Sequence, residues 1–245
     1  MRDVCIVGGG VAGLAASIFT SRAGLETLVV DGGESILERN ASLENYPGFP
    51  DGIDARRYLQ LTREQARNAG ATFELGRVIG VEPIDESDLE AGFVLETEAG
   101  EPLEARRVIA ASWADSDYLV PLDVGRKQRG NKYFVSVDEG GRTAVDGVYA
   151  AGRIADEPHQ AIIAAGHGAK VGFAVVYDSD VNFYYDWVVP EGYFTGRGRE
   201  VPPGCEEIAD EERRARDQRA RETMLEALAE PLDERPTMHP SVDRD

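Results

Sequence analysis

The chain has 245 residues, 42% of them apolar, and carries 45 acidic against 26 basic side chains, a formal net charge of −19. That length supports a sizeable core in one or two domains, and no apolar run approaches the roughly 18 residues of a membrane span. So negative a surface repels nucleic acid and anionic membranes, and with lysine only at Lys127, Lys132 and Lys170 it resembles the hydrated surfaces of proteins from salt-loving organisms.

The first element is a short apolar run, Val4 to Val7, that breaks at Gly8-Gly9-Gly10 and resumes as Leu14, Ala15, Ile18 and Phe19 at helical spacing. This is strand, tight turn, helix. Gly8, Gly10 and Gly13 occupy the three glycine places of G-x-G-x-x-G, which serve the turn, the approach of a pyrophosphate and the packing of helix on strand. The helix N-terminus beyond the turn offers N–H groups to phosphate. A second apolar run, 27–30, closes on Asp31, about 20 residues past the glycines, where a carboxylate meets a ribose hydroxyl. The opening strand leaves no room for a signal peptide. Cys5 in that strand reads as a small core residue, and Cys205 lies far off in a polar region. Two unrelated cysteines make no disulfide framework, so a reducing cytoplasm is expected.

After a flexible connection at 32–35 comes Glu44-Asn45-Tyr46-Pro47-Gly48-Phe49-Pro50, whose prolines and glycine rule out an ordinary helix. Helical spacing returns over about 55–69. Residues 72–83 and 92–97 alternate like strands, with a turn at 98–100, and 108–111 suits a buried parallel strand. The stretch 112–131 has no period and reads as a linker. Residues 133–137 and 147–152 read as strands, and a helix follows over about 158–176 with a narrow face of Ala161, Ala165, Gly168 and Gly172. Half of residues 183–194 are rings: Phe183, Tyr184, Tyr185, Trp187, Tyr193 and Phe194. So many rings must be packed on something. A charge-laced helix over about 206–230, with Asp210–Arg214, Glu212–Arg216 and Asp217–Arg221 at i,i+4, and a loose tail end the chain.

Three blocks in order, Val7-Gly8-Gly9-Gly10-Val11-Ala12-Gly13, Glu44 to Pro50, and Gly147-Val148-Tyr149-Ala150-Ala151-Gly152 with His159-Gln160-Ala161-Ile162, resemble thioredoxin reductases. The resemblance covers 1–111 and about 132–177. It implies an α/β, Rossmann-like FAD-binding domain over 1–177, with a central parallel sheet, flanking helices and a small antiparallel β-meander, followed by an extension over 178–245. Carried over, Gly8, Gly10, Val11, Ala12 and Gly13 face the FAD pyrophosphate. Asp31 and Gly32 face the adenosine ribose, and Val78 the adenine through its backbone. Asn45, Ala111, Gly152, Arg153, His159, Gln160 and Ala161 belong to the flavin half, with Gln160-Ala161 at a helix N-terminus whose N–H groups favour negative charge on the ring.

The departures from the family count equally. Its inserted NADPH domain, with a second glycine motif and a C-x-x-C pair, has no counterpart; the short stretch 112–131 stands there, so no NAD(P)H site is apparent. Two distant cysteines cannot run dithiol exchange, which excludes a working thioredoxin reductase. The family's Ala-Gly-Asp is Ala151-Gly152-Arg153, so a ribityl contact is lost or the arginine swings toward phosphate or solvent, which loosens FAD. The Ala-Thr-Gly that closes the first half in the family is Ala110-Ala111-Ser112 here. His159 either serves the flavin ring or caps the helix, and His167 is packing or surface. No residue is singled out as catalytic, and no His or Cys spacing suggests a metal. The reading is an FAD-dependent oxidoreductase whose electrons come from a partner protein, a diffusing donor or a small substrate. The alternative is a non-enzymatic flavin- or nucleotide-binding sensor or assembly subunit. The segment 183–204 either folds back as a lid or dimer contact or docks on the far side of the sheet, which leaves room for a homodimer.

Overall fold

A computed structural model describes residues 1–33, 35–183, 185–239, 241 and 242. Glu34 of the 32–35 connection, Tyr184 of the aromatic stretch, and Pro240 and 243–245 of the tail lie outside the described residues. The chain divides into two compact units, Met1–Ser179 with Arg235–Asp245, and Asp180–Glu234.

The first unit runs β1 (Arg2–Val7), α1 (Val11–Arg22), β2 (Thr27–Asp31), α2 (Ala55–Asn68), β3 (Thr72–Leu75), β4 (Val78–Pro83), β5 (Phe93–Thr97), β6 (Leu103–Ala110), β7 (Arg126–Arg129), β8 (Lys132–Val135), β9 (Val148–Ala150) and α3 (Ala161–Tyr177). Its main sheet has the order β3-β2-β1-β6-β5-β4, with β9 also on β6. The pairs among β3, β2, β1, β6 and β9 are parallel, while β4, β5 and the start of β6 form an antiparallel meander. β6 serves both: 103–105 face β5, and 108–110 face β9. Its apolar half alone is legible as a buried strand, because Leu103 to Arg107 reads as a mixed-polarity edge.

β1 and β2 are apolar at consecutive positions because both faces of the sheet are covered; Val4, Ile6 and Val29 are fully buried. Cys5 belongs to this core, and burial pushes its thiol up to about 12, so it packs as a small hydrophobe. α1 is apolar nearly all round because it is sandwiched between sheet and α3. The small face of α3 meets it closely: a Cβ on Gly172 would lie 2.9 Å from the Ala16 carbonyl oxygen, and one on Gly168 would strike the Ala12 backbone. Phe19 and Phe173 close this seam, ring centroids 4.8 Å apart.

Residues 112–131 differ from the linker expected of them. Asp117–Leu122 forms a 3-10 turn that buries Tyr118, Leu119 and Leu122 with the sheet, and 126–129 is strand β7, paired antiparallel with β8. A turn this short has neither the 3.6 nor the 2.0 period, so its apolar residues carry no readable pattern. β8 is also shifted, ending at Val135 instead of 137. The β7–β8 hairpin gathers Arg126, Lys127, Arg129 and Lys132 beside Tyr133, a local cationic strip in an acidic chain. Arg126 and Arg129 are paired with Asp117 and Asp156.

The second unit contains β10 (Trp187–Pro190) in parallel with β11 (Cys205–Ile208), then α4 (Asp210–Ala227). The charged helix therefore starts at 210, not 206: Glu206 and Glu207 are strand residues. Within this unit the rings pack on one another. Trp187, Tyr193 and Phe194 form an edge-to-face cluster with Arg197 over the last two. α4 buries no residue and is laced by Arg214–Asp210 and Arg216–Glu212, while Asp217 takes Arg213 as partner.

Glu207 fastens the ring cluster. Partial desolvation acts to raise its pKa, but it accepts hydrogen bonds from the Thr195 amide and hydroxyl and the Phe194 and Gly192 amides, and these win, holding it at about 2. A folded pKa below the unfolded one contributes stability that is complete above about 4.5 and lost as pH falls toward 2. Acid titration followed by Trp187 emission, with Trp113 replaced by Phe, should show this unit loosening over that window. Glu207→Gln should be loosened already at pH 7 and flat between pH 5 and 2.

Candidate functional site

A cavity of about 900 Å³ opens at the C-terminal ends of β1 and β2, between the first turns of α1 and α3. This is the side of an open parallel sheet where ligands bind. Gly8, Gly10, Val11 and Ala12 form one wall; Asp31, Gly32 and Val78 stand at one end and Asn45, His159, Gln160 and Ala161 at the other, with Ala111 and Arg153 between elements. Most expected contacts are thus brought together from stretches more than 100 residues apart. Gly13 and Gly152 stand behind the wall instead. A Cβ on Gly13 would strike the Gly8 carbonyl oxygen, and one on Gly152 would sit 2.7 Å from Ala12 Cβ.

The glycines of the first turn differ in what demands them. Gly8 has φ +116°, and a Cβ there would lie 2.6 Å from the Ala111 carbonyl oxygen, so the fold itself requires it. Gly10 has φ −79° and ψ −174°, open to any residue, and a Cβ on it would meet nothing closer than Ser35 Oγ at 3.8 Å. Among the described residues neither backbone conformation nor packing calls for glycine at this point; it serves the protein itself only as an N-cap. Gly10 is also the N-cap of α1, with no side-chain cap and no acidic residue in the first turn. α3 begins likewise at Gln160, without side-chain cap or early acid. Two positive helix ends therefore border one cavity.

At the β2 end, Asp31 is 8% exposed. Its Oδ1 accepts from the Gly33 amide at 3.0 Å, and its Oδ2 is paired with Arg63 of α2, which also lies over the Phe73 ring. A carboxylate with two such bonds retains lone pairs for a hydroxyl. Arg63 carries no motif and was not legible from the sequence.

At the α3 end, Asn45 Nδ2 donates to Gln160 Oε1 at 2.8 Å, tying the Pro-Gly segment to the helix start. The segment is rigid for a reason: the Leu43–Ile53 bridge closes it, and Tyr46 packs on Tyr58 of α2 at 4.6 Å. His159 precedes the N-cap and does not cap the helix with its ring; it lies edge-on to Trp113 at 4.4 Å. Burial first, then Arg153 and Lys132, lowers its pKa, so it is neutral at pH 7. Arg153 lines the cavity and is held by protein groups. Its guanidinium lies 4.6 Å over Phe134, donates to the Glu157 carbonyl at 2.9 Å and pairs with Asp156. The His167 side chain is 8% exposed, and its Nδ1 accepts from the Gly152 amide at 3.0 Å, which fixes the turn carrying Arg153. That bond links positions 15 residues apart, a separation with no sequence signal.

A family model described as an FAD binding domain matches residues 3–39. A thioredoxin reductase of Aquifex aeolicus is 36% identical over 117 residues, 46% of this chain and 34% of that protein. One from Mycolicibacterium smegmatis is 34% identical over 121 residues, 49% of this chain and 37% of that protein. The match thus spans about a third of the length of these curated relatives. Among solved structures, a thioredoxin reductase from Gloeobacter violaceus superposes with TM-score 0.63 at 17% identity, over 75% of this chain and 98% of that one. In sequence and in fold the chain is thioredoxin reductase-like, with the Rossmann-like architecture of an FAD-binding domain.

Proposed function

We propose that the cavity binds FAD and that the protein is an FAD-dependent oxidoreductase without a nicotinamide domain of its own. Gly10 carries the reading: it is a glycine that neither backbone conformation nor packing explains, at an uncapped helix end, beside a cavity within the usual 300–1,000 Å³ of small-ligand sites. The α1 N-terminus would hold the pyrophosphate, Asp31 the ribose, and the Val78 backbone the adenine. Asn45 and Gln160 would orient the flavin. Bound FAD would supply electron and hydride transfer at its ring. Neutral His159 would offer a hydrogen bond at that end.

The chain passes from Ala110 at the end of β6 through 111–125 into β7, the stretch where the resembled family inserts its nicotinamide domain. We therefore assign the electrons to a partner protein or a diffusing donor. Purified in high salt, the protein should be yellow or become so with added FAD. Dithionite should bleach it at once, and NADH or NADPH under anaerobic conditions only slowly. A colourless protein that takes up no FAD overturns the cofactor reading. Rapid bleaching by micromolar NADPH overturns the assignment of the donor.

A further inference from the structure

We propose that Trp113 is a flavin-binding residue: its indole forms the wall against which the FAD ring system packs, and it shields that end of the cavity from water. The inference rests on the FAD reading above. β6 ends at Ala110, and three residues later Trp113 adopts φ +61°, a left-handed conformation rare for a bulky side chain. The turn that imposes it is well fastened. The Asp115 amide donates to the Ser112 carbonyl at 3.2 Å, and Ser112 Oγ is bonded to the Asp115 carbonyl and the Tyr118 hydroxyl at 2.7 and 2.8 Å.

Glycine or asparagine would meet that backbone at less cost. The chain has a tryptophan there, and the ring is held from two sides. His159 lies at 4.4 Å with the planes at 68°, and Lys132 Nζ of β8 is 5.5 Å from an indole centroid. The held ring lines the cavity against His159, at the start of α3 where Asn45 meets Gln160. A strained position that turns a large flat ring into a ligand cavity points to a ligand with a large flat ring. Of the parts of FAD, that is the isoalloxazine.

The test uses the full chain with FAD as the probe and three variants. Trp113→Gly removes the ring while suiting the left-handed backbone, so the turn is preserved. Trp113→Phe keeps an aromatic wall. Trp187→Phe alters the other tryptophan. The readouts are the FAD dissociation constant and acrylamide quenching of bound-flavin emission. Trp113→Gly should weaken FAD about 3- to 10-fold, the range of a lost ring contact, and raise the quenching constant about threefold. Trp113→Phe should stay within about twofold of the parent, and Trp187→Phe should match it. FAD bound by Trp113→Gly with parental affinity and parental acrylamide access overturns the role of Trp113 and leaves the FAD reading intact. A parent chain that takes up no FAD overturns both.

Discussion

Gly10→Val leaves the apo protein folded and costs it the cofactor, whereas Gly13→Val costs it the fold. At Gly10 the backbone is extended and a Cβ meets only Ser35 Oγ at 3.8 Å, so the backbone and the first carbon of a side chain are accommodated without strain. The penalty is a poorer N-cap, about 1 kcal/mol. Its methyls, however, stand where a pyrophosphate must approach the first N–H groups of α1. Losing one or two charge-assisted bonds, at about 1.5–3 kcal/mol each, weakens FAD at least about 10-fold. At Gly13 the added Cβ strikes the Gly8 carbonyl, and Gly8 cannot retreat, because its own space is closed by Ala111 and its φ is +116°. Overpacking typically costs about 1–3 kcal/mol where side chains can yield, and here the obstacle is backbone. Against a total stability of about 5–15 kcal/mol, that is enough to unfold much of the protein at 37 °C. Urea midpoints by circular dichroism, with and without FAD, separate the two. Equal destabilisation of both variants would refute the distinction, as would FAD protection of Gly10→Val.

The same pair of glycines shows how far the sequence could be read. Strand, turn and helix at 2–22 were legible because their signals are local: an apolar run, three glycines and a periodic restart. So was the meeting of Asn45 with Gln160, since the family pattern places both on one cofactor, although only the fold brings them to 2.8 Å. What stayed hidden depends on tertiary placement. The 3-10 turn at 117–122 has no period, Arg63 reaches Asp31 from another helix, and Trp113 owes its interest to a backbone angle. The motif gives the pyrophosphate approach to Gly10 and helix packing to Gly13, and the geometry separates them the same way: a Cβ on Gly13 would strike the Gly8 carbonyl oxygen, whereas one on Gly10 would meet only Ser35 Oγ.

Asp31→Ala is expected to lose both stability and FAD, and adding Arg63→Leu restores only the first. The Asp31 side chain is 11% exposed and that of Arg63 31%, so the pair is desolvated on the acid's side and partly wet on the base's. Removing the carboxylate opens the Gly33 amide to water, since Gly33 is exposed, and leaves the Arg63 guanidinium over the Phe73 ring without its acid. The larger share of the loss is therefore the partly buried arginine left without its partner, about 1 kcal/mol once its exposure is counted. Replacing Arg63 with leucine removes that charge and gives Phe73 an apolar neighbour, so the double variant should recover at least half of the loss. FAD affinity follows a different rule. A carboxylate bonded to a ribose hydroxyl contributes about 1.5–3 kcal/mol, so both variants should bind FAD about 10- to 100-fold more weakly. Stability comes from denaturant midpoints of the apo forms and affinity from FAD titration. If the double variant regains FAD along with stability, Asp31 acts only by holding Arg63 and α2, and the ribose assignment fails. If Arg63→Leu alone weakens FAD as much as Asp31→Ala does, the pair positions the site as a unit and the carboxylate has no separate role.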